Sequence, residues 1–288
     1  MVLAVASGKG GTGKTTLAVN MASVSGSAIQ LLDCDVEEPN AHLFLPGTAI
    51  RKETVAIPVP EVDGSKCDGC GECGRFCRFN AIVSYGAEAL VFPDMCHGCG
   101  GCVRVCPRKA IREIDHPIGT VETSRAGNIR LAQGRLRVGA PMAPPLIRAV
   151  KARLEAGLPA ILDAPPGTAC PVVATIRGAD AVLLVTEPTP FGLHDLSLAV
   201  EMITDLGVPF GVVINRTGSG DDRVHRFCAE RGIPVLGEIP DDRRIAEAVS
   251  RGRLVVEALP AYAGVFRDIL DRSLGLGKNV REASHAHV

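Results

Sequence analysis

The segment VLAVASGKGGTGKTT, residues 2–16, decides the fold of this chain. It opens with a short apolar run, Val2 to Ala6, which is typical of a buried strand. Gly8 to Thr15 then match the phosphate-binding loop pattern G-x4-G-K-[ST], and a helical stretch follows from Thr16. In such loops the glycines let backbone N–H groups converge on phosphates at the positive end of a helix. The segment therefore predicts a nucleotide site on an α/β sheet.

Eight of the eleven cysteines form two runs of the same design. The first run is Cys67, Cys70, Cys73 and Cys77, and the second, 29 residues later at each position, is Cys96, Cys99, Cys102 and Cys106. This duplicated spacing, C-x2-C-x2-C-x3-C, is that of bacterial ferredoxins with two [4Fe–4S] clusters, in which the fourth cysteine of each run binds the other cluster. The predicted ligands are Cys67, Cys70, Cys73 and Cys106 for cluster one, and Cys77, Cys96, Cys99 and Cys102 for cluster two.

Two four-cysteine zinc sites are the alternative interpretation of these runs. Zinc sites of that kind show two separated C-x2-C pairs instead of four cysteines in one run. Arg78 stands where the ferredoxin pattern has proline, but that proline shapes a turn and is not a ligand. The spacing therefore favours the clusters over zinc.

Lys9 narrows the class of nucleotide-binding protein. With a lysine at the second position of the loop, residues 9–16 (KGGTGKTT) resemble the deviant Walker A motif of the MinD/ParA/Mrp superfamily of P-loop ATPases. The resemblance implies that Lys9 reaches across a dimer interface to the partner's nucleotide, so that the chain forms a homodimer in the ATP state. A solvated loop lysine is the alternative.

Two carboxylate segments also resemble motifs of this superfamily. Asp33 and Asp35 follow the apolar strand 29–32 as in switch I, which implies that Asp35 orients the attacking water and Asp33 supports Mg²⁺ indirectly. Asp163 and Gly167 follow the strand 160–162 as in Walker B and switch II. This implies that Asp163 holds Mg²⁺ through water and that Gly167 moves when the γ-phosphate leaves.

The nucleotide site of the resemblance has further members. Lys14 would reach the β- and γ-phosphates, the Thr15 hydroxyl would bind Mg²⁺, and Asn215 stands at the position that reads adenine. The predicted nucleotide-binding residues are Gly8, Lys9, Gly10, Gly11, Thr12, Gly13, Lys14, Thr15, Thr16, Asn215 and Arg216. The predicted catalytic residues are Lys9, Lys14 and Asp35, and the predicted magnesium residues are Thr15, Asp33 and Asp163.

The predicted fold is a doubly wound, mostly parallel α/β sheet of the P-loop NTPase type, with an inserted bacterial-type ferredoxin domain of the α+β class. Helices and strands alternate from residue 144 onward, beginning with a helix over 144–156. The ATPase domain is predicted to be discontinuous, residues 1–58 and 116–288, around an insert at 59–115. An insert of this size buries little apolar surface, so its clusters would act as its core.

Composition restricts the partners and the compartment. The net charge is −1, which gives no broad basic field for nucleic acid or an anionic membrane. The N-terminal apolar run is too short for a signal peptide or a membrane span, so we expect a cytoplasmic protein without membrane binding. The terminal helix, about residues 261–274, mixes acidic and basic residues on its polar face and is expected to pack against the core.

These features predict an ATP-binding and ATP-hydrolysing dimer switch, with two [4Fe–4S] clusters, ATP and Mg²⁺ as cofactors. The switch would couple nucleotide state to electron delivery or iron–sulfur handling for an unknown protein partner. One alternative is a MinD-like positioning ATPase whose clusters are structural or sense redox state. Another is an iron–sulfur scaffold or carrier of Mrp type, although the chain lacks the C-terminal C-x-x-C pair of those proteins. Cys170 follows the predicted switch II segment. It is interpreted either as an inert packing residue or as a ligand of an intersubunit cluster.

Overall fold

The computed structural model describes the backbone of residues 1–285 and side chains through residue 276. The chain divides into two compact units. The first unit comprises Met1–Lys52, Glu122–Gly134 and Ile147–Val288, and the second comprises Glu53–Val121 and Arg135–Leu146. The predicted insert, residues 59–115, lies within the second unit, which extends beyond it at both ends.

The described residues contain strands β1 (Val2–Ala6), β2 (Ile29–Asp33), β3 (Thr48–Val62), β4 (Ile82–Tyr85), β5 (Glu88–Val91), β6 (Ile111–Ala126), β7 (Ile129–Leu136), β8 (Ala160–Asp163), β9 (Ala181–Thr186), β10 (Phe210–Thr217) and β11 (Val235–Pro240). The helices are α1 (Lys14–Val24), α2 (Ala41–Phe44), α3 (Glu72–Phe76), α4 (Gly101–Val105), α5 (Pro144–Lys151), α6 (Cys170–Ile176), α7 (Pro190–Leu206), α8 (Arg223–Glu230), α9 (Arg243–Ser250), α10 (Val255–Ala258) and α11 (Ala263–His285). Short 3-10 helices occupy Pro93–Met95 and Pro260–Tyr262.

The large sheet has the strand order β11-β10-β9-β1-β8-β2-β7-β6-β3. Neighbouring strands from β11 through β7 pair in parallel, which confirms the predicted mostly parallel sheet. In this order β1 lies between β9 and β8, and the loop after β1 leads into α1. Ligands of such sheets bind at the carboxyl ends of the strands, near the point where the strand order reverses. The register places Asp163 beside both Val5 and Asp33. The sheet therefore brings the ends of β1, β2 and β8 together.

The core of the first unit follows from its apolar strands. All residues of β2, β8 and β9 are buried, because helices cover both faces of a parallel sheet. The terminal helix α11 adds Phe266, Ile269 and Leu270 to this core, which confirms the expectation that it packs against the core. Among the described residues, no helix combines the length and the apolar character needed to cross a membrane.

The second unit is built from short elements. β4 and β5 form an antiparallel hairpin, and a small buried cluster holds Cys73, Ile82 and Ile111. Other buried apolar side chains of this unit, among them Ile57, Val59, Ile118, Val121 and Leu146, are not part of this cluster. That bound clusters complete the core of the insert stays a prediction.

One predicted helix is shorter than expected. The helix predicted over 144–156 ends at Lys151. The side chain of Gln30, buried in β2, accepts a hydrogen bond from the Glu155 N–H at 2.8 Å and donates one to the Glu155 carbonyl at 3.1 Å. Because a buried amide must be satisfied, Gln30 holds this segment in a non-helical path.

Candidate nucleotide site and cysteine-lined cavities

The phosphate-binding loop joins β1 to α1. Gly13 precedes α1 with a φ of 94°, in the left-handed region that favours glycine. A Cβ atom at Gly13 would lie 2.5 Å from the Asn215 amide nitrogen. That amide donates to the Thr12 carbonyl at 2.8 Å, so the end of β10 supports the loop directly.

Lys14 and Thr15 begin α1 and face the carboxylates of the neighbouring strands. Burial lowers the pKa of the Lys14 ammonium, and the negative charges of Asp163 and Asp35 oppose this effect. Thr15 donates its hydroxyl proton to the Asp163 carboxylate at 2.5 Å. The loop lysine and the loop threonine thus lie next to the acidic residues that the superfamily motifs predicted.

Asp163 has the features of an indirect or direct Mg²⁺ ligand. It ends β8 and is 1 % exposed, and its Oδ1 atom is buried without a hydrogen-bond partner among the described residues. Burial raises the pKa of this carboxyl well above its usual range, and the nearby charge of Asp33 adds to the effect. A divalent cation would satisfy the orphaned oxygen and offset the negative charge. The Thr15 hydroxyl and the Asp163 carboxylate are hard oxygen donors and fit Mg²⁺.

Asp33 holds the loop that carries Asp35. Its Oδ1 atom accepts the Asp35 N–H at 3.1 Å, and its Oδ2 atom accepts the N–H groups of Asn40 and Ala41 at 2.9 and 3.0 Å. Burial raises the pKa of Asp33 to about 6, while these hydrogen bonds oppose the shift. Three backbone bonds give Asp33 a positioning task in switch I, in addition to its predicted support of Mg²⁺.

A cavity follows the loop and extends beyond the predicted residues. The predicted residues that line it are Gly10, Gly11, Gly13, Lys14, Thr15, Thr16, Asp35, Asn215 and Arg216. Its further lining is Glu38, Asn40, Phe44, Pro166, Ile239, Pro240, Asp241, Asp242, Ile245, Ala246, Val249, Ser250 and Phe266. The lining combines apolar side chains, such as Phe44, Ile245 and Val249, with many polar and charged groups, and this mixture suits a nucleotide.

Sequence patterns missed the wall formed by Pro240, Asp241 and Asp242. The signal was present, because Pro240 ends β11 and two aspartates follow it, much as Asp33 ends β2 and Asp35 comes shortly after. Asp242 accepts hydrogen bonds from Arg244 and from the Tyr262 hydroxyl, the latter at 2.7 Å. Its carboxylate is therefore fixed at the edge of the cavity.

Lys9 is held within its own chain. Its ammonium lies 3.1 Å from the Glu187 carboxylate, at the end of β9, and the other oxygen of Glu187 lies 2.7 Å from Arg216. Gly8 packs against the backbone of Asp195, and the Gly167 N–H donates to the Ser7 carbonyl at 3.0 Å. Lys9, Gly8 and Gly167 thus surround the loop without lining the cavity.

The eight cysteines of the two runs surround two cavities in the second unit. Cys67, Cys70, Cys73 and Cys106 line the first, and Cys77, Cys96, Cys99 and Cys102 line the second. The chain thereby groups the cysteines in the crossed sets that the ferredoxin spacing predicted. Which groups bind there stays a prediction.

The donor chemistry of both cavities fits an iron–sulfur cube. The Gly98 N–H donates to the Cys96 sulfur at 3.4 Å, and the Ala110 N–H donates to the Cys106 sulfur at 3.3 Å. Such N–H···S bonds stabilise and tune cluster thiolates. Among the described residues no group of three or more His, Cys, Asp or Glu side chains is arranged to hold a single metal ion. Four cysteines around a cavity suit a cube whose irons are each bound by one of them.

The remaining cysteines lie in the first unit. Cys34 and Cys228 are buried, and Cys170 is exposed at the start of α6. Burial raises the pKa of the Cys228 thiol to about 11, which keeps it protonated and unreactive. Exposure of Cys170 excludes simple core packing for that residue.

Comparison with known proteins identifies the class. Residues 3–255 match the model of the CobQ/CobB/MinD/ParA nucleotide binding domain, and the chain belongs to this family. An uncharacterized protein of Methanocaldococcus jannaschii is 31% identical over 262 residues, which cover 88% of this chain and 90% of that protein. The iron-sulfur cluster carrier protein of Pyrococcus horikoshii is 24% identical over 97% of this chain and 87% of its own length.

The solved structures agree with the fold of this family. The septum site-determining protein MinD from Pyrococcus horikoshii, complexed with Mg-ADP, has a TM-score of 0.57 at 18% identity. The match covers 94% of each chain. At this identity the likeness concerns the fold.

Proposed function

We propose that this protein is an ATP-hydrolysing dimer switch that carries two [4Fe–4S] clusters and couples its nucleotide state to electron delivery or iron–sulfur handling for a protein partner. One observation carries the proposal. The same chain has a phosphate-binding loop next to Asp35 and Asp163, and two cavities that are each lined by four cysteines in crossed sets.

The nucleotide half of the proposal assigns roles to four side chains. Lys14 binds the phosphates, because its ammonium is buried at the start of α1 where phosphate oxygens would replace solvent. Thr15 and Asp163 hold Mg²⁺, which when bound neutralises charge that develops on the phosphates. Asp35 orients the attacking water. Burial raises the pKa of Asp35 while the charge of Lys14 opposes the shift, as expected for a carboxylate that faces the same site.

The cluster half of the proposal rests on the ferredoxin-like unit. Each cavity has one buried and one exposed cysteine: Cys73 and Cys70 in the first, and Cys96 and Cys99 in the second. An exposed ligand brings each cluster to the surface, where a protein partner would exchange an electron. Clusters of this type commonly transfer single electrons at low potential.

A cluster carrier is the second candidate function. It is favoured by the relatives named iron-sulfur cluster carrier proteins, such as that of Pyrococcus horikoshii. The two functions differ in what leaves the protein. A carrier loses iron and sulfide to an acceptor, whereas an electron donor retains them.

Anaerobic purification followed by iron and sulfide analysis tests the proposal. We expect about eight iron atoms per chain, the sum of two four-iron cubes. ATP hydrolysis should vanish in Lys14→Ala, while iron content stays unchanged. Incubation with an iron-free ferredoxin then separates the candidates: loss of iron to it supports a carrier, and full retention supports electron delivery. A protein with two zinc ions and no iron would overturn both.

A further inference from the structure

Lys151 belongs to α5 but caps the carboxyl end of a different helix, α6. It is the last residue of α5, and its ammonium donates to the carbonyls of Ala174, Thr175 and Arg177 at 2.9, 2.8 and 2.6 Å. These are all three protons that an ammonium can donate. The acceptors lie at the carboxyl end of α6, where backbone carbonyls lack partners in their own helix and a positive charge is favourable.

The helix that Lys151 caps is the helix of switch II. α6 begins at Cys170, three residues after Gly167, and its first turn follows the loop that starts at Asp163. One end of this segment therefore reaches the Mg²⁺ position, and the other is bound to α5. Any shift of α6 along with switch II would act directly on the Lys151 ammonium.

Cys34, in the predicted switch I segment, interacts with Lys151 and Thr175. Cys34 is fully buried between Asp33 and Asp35. Burial raises the pKa of the Cys34 thiol, while the charge of Lys151 and a hydrogen bond with Thr175 oppose the shift. Lys151 therefore binds the end of α6 directly, and its charge also acts on the Cys34 thiol in the predicted switch I.

α5 is also a segment by which the chain leaves the second unit. Its first residues, Pro144 to Leu146, belong to that unit, and its last, Ile147 to Lys151, belong to the first. Within the second unit Leu146 is fully buried against β6, since a Cβ atom at Gly119 would come within 2.7 Å of it. An uninterrupted helix transmits a displacement of one end to the other, and α5 contains no glycine.

We propose that α5 transmits the state of switch II to the second unit, which holds the two cysteine-lined cavities. Lys151 is then the positioning residue that joins α5 to α6. This inference rests on the proposed function, because it requires nucleotide state and clusters to be coupled. Lys151 touches neither the nucleotide cavity nor a cysteine of the two runs. Its loss should therefore remove the coupling while both sites remain.

Lys151→Met tests this, because methionine keeps the apolar stem and removes the three donors. Arg148→Met is the matched control, since it removes a charge from an exposed position of the same helix. The midpoint potentials of the clusters are measured anaerobically on the full chain, with and without a non-hydrolysable ATP analogue. We expect a wild-type shift equivalent to about tenfold, or about 59 mV, retained in R148M and at least halved in K151M. The affinity of K151M for the analogue should differ from that of the wild type by less than about threefold. This is far below the loss expected on removal of a phosphate contact.

The outcomes separate the inference from the function beneath it. A wild-type shift that K151M keeps in full overturns the inference alone. No shift in the wild type overturns the proposed coupling and this inference with it.

Hydrogen exchange on the wild type gives a second measurement if K151M does not fold. The analogue should change the protection of α5 and α6 together and leave α8 unchanged. A change in α6 without one in α5 would overturn the inference.

Discussion

Thr15 donates its hydroxyl proton to Asp163, and the two oxygens lie 2.5 Å apart. The same hydroxyl is the predicted Mg²⁺ ligand, and a lone pair of its oxygen can bind the metal while its proton still donates to Asp163. The other Asp163 oxygen is buried and has no partner among the described residues. The two residues thus place a bound hydroxyl and an unpartnered carboxylate oxygen at the predicted magnesium site.

Removing the Thr15 hydroxyl should abolish the Mg²⁺-dependent part of ATP affinity. We expect Thr15→Ala to lose about tenfold or more in affinity when Mg²⁺ is present, about 1.4 kcal/mol, and little when it is chelated. Thr15→Ser keeps the hydroxyl and is the control. Calorimetric titration with and without chelator measures this. Equal Mg²⁺ dependence in T15A and wild type would show that Thr15 does not bind the metal.

Asp33→Asn should loosen switch I without a large change in global stability. The raised pKa, about 6, means that ionised Asp33 opposes folding by about 3 kcal/mol at pH 7, a cost that disappears below about pH 4. Substitution removes this cost but also places an NH₂ group against backbone donors, which costs about 1–3 kcal/mol.

Because these two effects are similar in size, local hydrogen exchange is the decisive measurement for Asp33. The amides of Asp35, Asn40 and Ala41 should exchange faster in D33N. The control is Glu37→Gln, which removes a charge from an exposed position of the same loop. Unchanged exchange at all three amides would contradict the role given to Asp33.

The ion pair between Lys9 and Glu187 should oppose dimerisation. A partly exposed pair contributes about 0.2–1 kcal/mol, and a dimer that uses both lysines breaks two of them. Glu187→Gln should therefore lower the dimer dissociation constant with an ATP analogue by roughly two- to thirtyfold. Lys9→Ala should bind the analogue and stay monomeric, and Glu201→Gln, at an exposed position of α7, is the control. Light scattering measures all three, and a K9A protein that dimerises normally would make Lys9 a surface residue.

The crossed cysteine sets predict which cluster each substitution damages. Cys73→Ser should impair the cluster of the first cavity, whereas Cys77→Ser, four residues on, should impair that of the second. Cys170→Ser is the matched control, since this exposed cysteine lines neither cavity. EPR of the reduced proteins distinguishes the two signals. Loss of the same signal in C73S and C77S would disprove the crossed arrangement, and loss of iron in C170S would indicate an intersubunit cluster.

Local sequence patterns predicted the parts of the protein that depend on short segments. The loop from Gly8 to Thr15, the carboxylates that end β2 and β8, and the cysteine spacing each need only neighbouring residues to adopt their geometry. Apolar strands and their helices likewise predicted the parallel sheet. The cysteine groups followed because a duplicated spacing dictates which thiols face each other.

The contacts that reach across the sequence could not be predicted. Glu187 meets Lys9 only after β9 is placed beside β1, and Lys151 meets α6 only once both helices are packed. α5 is shorter than predicted because Gln30, a buried amide in β2, takes its hydrogen-bond partners from Glu155. In each case an ordinary polar residue gained its role from tertiary packing.

Redox titration with and without nucleotide tests the central claim most directly. The variant Asp35→Ala, which should bind ATP without hydrolysing it, is prepared anaerobically. Its clusters are titrated by EPR without nucleotide and with ATP. A coupling of about 1–3 kcal/mol predicts a midpoint shift of roughly 40–130 mV, and reduction should change ATP affinity by the same factor. Identical midpoints with and without nucleotide would contradict the coupling of nucleotide state to the clusters.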